Sequence, residues 1–466
     1  MLVIGNWSLS FSLGVSVAEI IPFRALRYNP RFVPDLAQVV APPYDVISPE
    51  AQDRYYARHP YNVVRLILAK DAAKAAGRDR YASAAHTFAD WRRDSVLLRD
   101  LAPAVYLYEQ AFSLGDSQRL RRRGMFVLVR LHDYADGVIL PHERTFSRYK
   151  DDRLRLMRAC PANLEAILGF FPGPNPGVAA VLDRHLATEP TVAVVDEDGI
   201  GHRLWLVQEP AQVEALQSAL RDRPIVIADG HHRYETALNF RNERQAHGAS
   251  SGDLARRLDS FVLMNLVPAD DPGLAILPTH RIIRRPLANA GREFPAALAR
   301  HFRIAAHPVD AGDPTPALRL ALDDLARRGS TATACAIYAG ADVLVLELTD
   351  PATTQALLAE GRAPAFATLD VAVLHGLLVE GILGMPASSH GDDAIQYTRD
   401  ATHAFAEVAA GKASVALFLN PPRVDQVQAV AMAGERMPQK STFFYPKVLS
   451  GLVINPLDPA EEPVIS

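Results

Sequence analysis

The chain has 466 residues, 49% apolar and 22% charged, with 49 basic against 53 acidic side chains and a net charge of −4. That length implies two or three domains, and the slightly acidic balance argues against a non-specific nucleic-acid binder, leaving at most a local basic groove. Cys160 and Cys335 are the two cysteines. They argue against a disulfide framework and read as small buried hydrophobes in a reducing compartment, and no His/Cys cluster has zinc-ligand spacing.

Residues 1–20 are apolar but interrupted by Asn6, Ser8, Ser10 and Ser12, and they lack a basic n-region. No run of about 18 apolar residues follows anywhere, so the reading is a cytoplasmic protein with an N-terminal extension. Prolines 22, 30, 34, 42 and 43 forbid a continuous helix over 21–48 and predict extended pieces joined by turns. Ser48 then caps a helix that carries Pro49 at its first position. A second helix is expected over 79–94, with Tyr81, Ala84, Ala85, Phe88 and Trp91 on one face. Strands are expected over 105–110 and 125–131, joined by a basic connection at 119–123. A polar loop and an amphipathic helix occupy 140–171, and PGPNPG at 172–177 marks a turn or a subdomain edge. Strand patterns follow at 191–195 and 204–207. Helices are expected near 294–301 and 316–327, and a strand at 415–420.

The most informative segment is IADGHHRYETAL, residues 227–238. A buried-strand pattern, 224–228, runs into a helix pattern in which Tyr234, Ala237 and Leu238 share a face. Gly230 sits in the turn between them, and His231, His232 and Arg233 fall in the first helical turn. A helix N-terminus offers unpaired N–H groups and partial positive charge, so donors gathered there suit a phosphate. The alternative is a capped helix start with solvated polar residues.

Four further motifs carry candidate chemistry. LPHERT, 140–145, flanks Glu143 with His142 and Arg144, an arrangement that can orient a general base, though exposed Glu beside Arg is common. LPTHR, 277–281, offers His280 and Arg281 after an apolar run, with a core histidine as the plain alternative. GERMPQKSTFFYPK, 434–447, alternates Lys440, Ser441, Thr442 and Lys447 with aromatic residues. It could clasp phosphate, although it lacks the glycine-rich loop of a Walker A motif. APPYDVIS, 41–48, places Tyr44 and Asp45 in a turn, where Asp45 is either a cap or a ligand or base.

Together these motifs resemble the domain-of-unknown-function family 1015, in order, from about residue 21 to 457. More distantly, a PHE motif followed by DGHHR is similar to free-serine kinases of the ParB/sulfiredoxin-like fold. The resemblance implies an α+β fold of mixed sheets and helices, with a ParB/sulfiredoxin-like core carrying large insertions and a C-terminal α/β region. The expected divisions are an extension at 1–20, an α/β region at 21–135, the core at 136–287 and the C-terminal region at 288–466. It also implies Glu143 as the base that activates a serine hydroxyl. Asp229, Gly230, His231, His232 and Arg233 would form the phosphate-binding turn, with Asp229 a candidate ligand for Mg²⁺. Lys440, Ser441, Thr442 and Lys447 are expected to steady phosphate, and His142, Arg144, His280 and Arg281 to bind substrate. The expected reaction is phosphoryl transfer from ATP, ADP or pyrophosphate to a small hydroxylated metabolite, free L-serine first among them. A phosphohydrolase and a non-enzymatic nucleotide-binding module remain open, as does a homodimer; no membrane partner is expected.

Overall fold

Proline spacing keeps the opening segment extended. Two short strands, β1 (Ile20–Ile21) and β2 (Leu26–Tyr28), precede a single-turn helix over Leu36–Gln38. The computed structural model describes residues 18–71, 79–115, 118–145, 147–246, 257–284, 294–310, 315–349, 352, 356, 361–385, 394–438 and 440–458. Most of the N-terminal extension lies outside these residues. The chain forms two compact units, each discontinuous in sequence. The first comprises Met1–Leu140, Ser147–Asp270 and Val448–Ser466, and the second Pro141–Phe146 and Asp271–Lys447. The contiguous divisions at 135 and 287 do not coincide with them.

In the first unit Ser48 accepts the Ala51 N–H at 3.2 Å and opens α1 (Pro49–Arg58). A one-turn α2 (Val64–Ile67) follows. Asp79 caps α3 (Arg80–Arg93), whose buried Ala84, Phe88 and Trp91 lie on one face. These side chains join Tyr55, Leu66, Leu156 and Ile454 in one apolar cluster. Burying a side chain such as Phe88 contributes about 1.5–3 kcal/mol.

After β3 (Leu97–Arg99), β4 (Val105–Leu114) and β5 (Gln118–Arg130) form a long antiparallel hairpin. The basic connection expected at 119–123 is strand instead. Alternation explains it: Arg122 pairs across from Gln110 and donates to its side chain inside the protein. Arg121 and Arg123 point the other way, 3.7 and 3.4 Å from the buried carboxylate of Glu109. Period-2 placement lets one strand bury an arginine and solvate its neighbours.

The chain continues through β6 (Ile139–Pro141), α4 (Ser147–Ala159), β7 (Ala162–Asn163) and β8 (Ile167–Phe171). The segment 172–177 is a turn inside this unit, with Asn175 capping α5 (Pro176–Leu186). Next come β9 (Val192–Val195), β10 (Gly201–Val207), α6 (Pro210–Leu220) and β11 (Ile225–Asp229). The 16-residue α7 (His231–Ala246) and β12 (Phe261–Pro268) follow. The main sheet has the order β6-β11-β8-β12-β5-β4-β10-β9, with β1 also on β5. β8 and β12 run parallel, Leu168 facing Asn265, while β8 and β11 are antiparallel. Apolar strands in the middle of a mixed sheet read as unbroken hydrophobic runs, and all five residues of β8 are buried.

The second unit begins with β13 (Ala275–Leu277) and β14 (His280–Ile283). Then come α8 (Phe294–Ala299), β15 (Phe302–His307), α9 (Thr315–Gly329), β16 (Ala334–Tyr338) and β17 (Val343–Leu348). With β18 (Ile395–Thr398) and β19 (Val415–Leu419), the larger sheet has the order β15-β17-β16-β19-β14-β18. Leu318, Ala321 and Leu325 of α9 pack with Phe405 and Val408 against Ala336, Val345 and Phe418. Last in this unit, β20 (Phe443–Tyr445) pairs antiparallel with β13. β21 (Asn455–Pro456) belongs to the first unit, where it pairs with β7. The chain is therefore α+β, with several sheets. Both cysteines are buried and unbonded. Among the described residues no helix is long and apolar enough to cross a membrane.

Candidate functional site

The strand–glycine–helix reading of DGHHR holds residue by residue. β11 ends at Asp229, Gly230 turns the chain at φ +96°, and α7 begins at His231. A β-carbon at Gly230 would lie 2.9 Å from the Arg233 Nε and 3.0 Å from its Cζ, so the torsion favours glycine and any larger residue would have to displace the guanidinium. The register of β11 against β8 shifts between Ile227 and Asp229, just before the turn. The Gly230 carbonyl accepts the Tyr234 N–H at 3.0 Å, leaving the first amides of α7 beyond the helical ladder. His231 is buried and His232 half-buried at this helix start.

Arg233 behaves differently from expectation. Its guanidinium turns inward, donating to Asp229 at 2.6 Å and to the Ala166 carbonyl. Burial pushes its pKa down, but Asp229, Glu165, Asp45 and Tyr44 outweigh that and raise it. Asp229 is accordingly an ion-pair partner. Among the described residues no group of three His, Cys, Asp or Glu side chains could hold a metal ion.

The APPYD turn belongs to the same unit and is tied to this cluster. Its Tyr44 N–H donates to Glu165 Oε1 at 2.9 Å. The Arg153 guanidinium lies 4.0 Å from the Tyr44 ring centroid. Sequence reading missed Glu165 and Arg153; the visible signal was one acid inside the otherwise apolar run 164–171.

LPHERT, LPTHR and the KSTFFYPK segment meet in the second unit. His142 is fully buried, its Nε2 2.9 Å from the Thr442 Oγ1 and its ring edge-on to Phe444. The Met437 N–H donates to the His142 carbonyl at 2.8 Å, and Glu143 Oε1 accepts the Lys440 N–H at 3.3 Å. Lys440 adopts φ +56°, in the left-handed region. Arg144 is exposed.

His280 and Arg281 are core residues rather than surface ligands. Burial pushes the His280 pKa down to about 4, so the ring is neutral, and its Nδ1 accepts the Leu419 N–H at 3.4 Å. Arg281 donates to the carbonyls of Thr279 and Lys440. Lys447 sits 4.2 Å from the Phe443 ring centroid, a cation–π contact. Ser441 is buried and shares with Thr279, Asp370, Asn420 and Gln426 a cavity of about 20 Å³. Burial lifts the Asp370 carboxyl to about 6. Thus the structure brings His142, Glu143, Lys440 and Thr442 together in one unit, and Asp229 to Arg233 in the other.

A family model described as protein of unknown function (DUF1015) matches residues 20–372. The chain belongs to that family. No curated protein matches the sequence of this DUF1015 member. Among solved structures it is similar to a conserved hypothetical protein from Pyrococcus furiosus, at 12% identity and a TM-score of 0.30, over 70% of this chain and 93% of that one. A free serine kinase in complex with AMP matches at 12% identity and TM-score 0.30, over 70% and 89% of the two chains. SbnI with a C-terminal truncation, from Staphylococcus aureus, gives 12% and 0.32, over 71% and 87%.

Proposed function

We propose that this DUF1015 protein is a phosphotransferase that moves a phosphoryl group from a nucleotide or pyrophosphate to a small hydroxylated metabolite, L-serine being the first candidate, on a ParB/sulfiredoxin-like core. The observation that carries the reading is the register-shifted strand, positive-φ glycine and long helix that set His231 and His232 at a helix start. Such a start carries partial positive charge, which attracts a phosphate. In this reading the donor's phosphates lie at the N-terminal end of α7, beside His231 and His232. Arg233 serves by holding Asp229 and the turn.

Glu143 is the proposed base. Its carboxylate is oriented by the Lys440 N–H, and it would accept the acceptor's hydroxyl proton as the oxygen bonds to phosphorus and the bond to the leaving phosphate oxygen breaks. Lys440, Ser441, Thr442 and the buried His142 shape that acid's surroundings. Arg281 and His280 act through the backbone they hold.

The test is incubation with ATP, ADP or pyrophosphate, each with Mg²⁺ and free L-serine, assayed for O-phosphoserine. Wild type should form product, and Glu143→Gln should lose at least about 100-fold of the rate. Absence of product with all three donors would overturn the proposal, and serine-independent phosphate release would replace it with hydrolysis.

A further inference from the structure

The Tyr44–Asp45 turn and the DGHHR turn are far apart in sequence, and one buried acid links them. Glu165 is 6% exposed at its side chain. Its Oε1 accepts the Tyr44 N–H at 2.9 Å, and its Oε2 lies 3.9 Å from Arg153 NH1. Arg153 in turn stacks on the Tyr44 ring and donates to the Ile67 carbonyl at 2.7 Å. One residue on, the Ala166 carbonyl accepts from Arg233, whose other terminal nitrogen grips Asp229. Arg153, Glu165, Arg233 and Thr236 line a common cavity of about 40 Å³. The Thr236 hydroxyl, on a residue 1% exposed, has no hydrogen-bond partner among the described residues. A space of this size admits a few water molecules, at about 10–15 Å³ each, which would complete the polar lining.

We propose that Glu165 is a positioning residue: it fastens the Tyr44–Asp45 turn to the 165–166 segment on which Arg233 rests, and so fixes the Asp229–Gly230 turn that opens α7. Its chemistry separates this role from an ordinary structural ion pair. Burial pushes the Glu165 carboxyl up, Arg233, Arg153 and the Tyr44 N–H pull it down, Asp45 pushes it up, and the net direction is up. A carboxyl raised in the folded state contributes stability below its unfolded pKa and loses it as pH rises through the folded one. At neutral pH the charge therefore burdens the fold, so a gain elsewhere must account for it.

The inference uses the phosphate-handling reading for its binding test, and a second readout is independent of it. In the full chain, Glu165→Gln keeps an acceptor for Tyr44 and removes the charge. Pyrophosphate affinity should fall about tenfold, the scale of one charge-assisted hydrogen bond, while the melting temperature at pH 7 stays level or rises. Glu165→Asp should recover part of the affinity. In parallel, side-chain NMR should show slow hydrogen exchange at the Arg233 guanidinium in wild type and faster exchange in Glu165→Gln. Wild-type-like affinity and exchange in Glu165→Gln would overturn the proposal, as would a lower melting temperature with unchanged affinity. If wild type itself binds neither pyrophosphate nor ADP, the phosphate reading fails, and the Arg233 exchange rates alone decide for or against Glu165.

Discussion

Arg233 in the first unit and Arg281 in the second are both buried, at 9% and 0% exposure, yet their surroundings differ in kind. Arg233 meets a carboxylate 2.6 Å away and has further acids around it, so its charge is held more firmly than in water. Arg281 donates to backbone carbonyls, has the Tyr397 ring 5.5 Å away, and its Nε has no hydrogen bond among the described residues. Burial pushes its pKa down to about 10. A buried charge is costly unless paired. Arg233 is thus paired with a carboxylate, whereas the partners seen for Arg281 among the described residues are backbone carbonyls and a ring.

The largest expected effect tests that contrast directly. Arg233→Met would strand Asp229 and should cost about 3–5 kcal/mol in urea unfolding. Arg281→Met removes a charge held by carbonyls and a ring and should cost less than about 1 kcal/mol, or stabilise. Equal losses would break the comparison.

A second test uses pH. His280 titrates near 4 in the folded chain against 6.5 unfolded. The unfolded chain takes up the proton first, so stability falls as pH drops from about 6.5 to 4, by on the order of 3 kcal/mol, and levels off below. His280→Asn should abolish that portion of the slope in acid denaturation of the second unit. A slope unchanged in the variant would show that the ring is not held neutral by its buried site.

The smallest effect sharpens the account of the DGHHR turn. Gly230→Ala must adopt φ +96° and displace the Arg233 guanidinium. It should lose about 1–3 kcal/mol by thermal unfolding. A neutral substitution would mean that the turn relaxes freely.

What could be read in the sequence was local. The β11–Gly230–α7 turn and the Ser48 and Asp79 regions declare themselves through neighbouring residues, so capping and periodicity suffice. The long hairpin was read short because its arginines look like a loop until Gln110 and Glu109 are seen across from them. The pairing of His142 with Thr442, and of Tyr44 with Glu165, spans hundreds or more than a hundred positions. Local composition and periodicity do not reveal which distant partner a buried donor will find. Arg233 misled for the same reason: type and position suggested a ligand-facing cation, whereas its direction depended on Asp229 and Ala166.

The end of the described chain bears on how this protein is made. Ile454 bridges Leu26 in both directions, Ser450 bridges Ala41, and Asn455 donates to Asn163 inside the first unit. Ile454 also belongs to the cluster that holds Phe88 and Trp91. A ribosome releases the N-terminal segments of this unit long before residues 448–458 exist, and domains ordinarily settle in order of synthesis. Here the first-made unit must wait, incomplete, while the whole of the second is translated, and its core closes last.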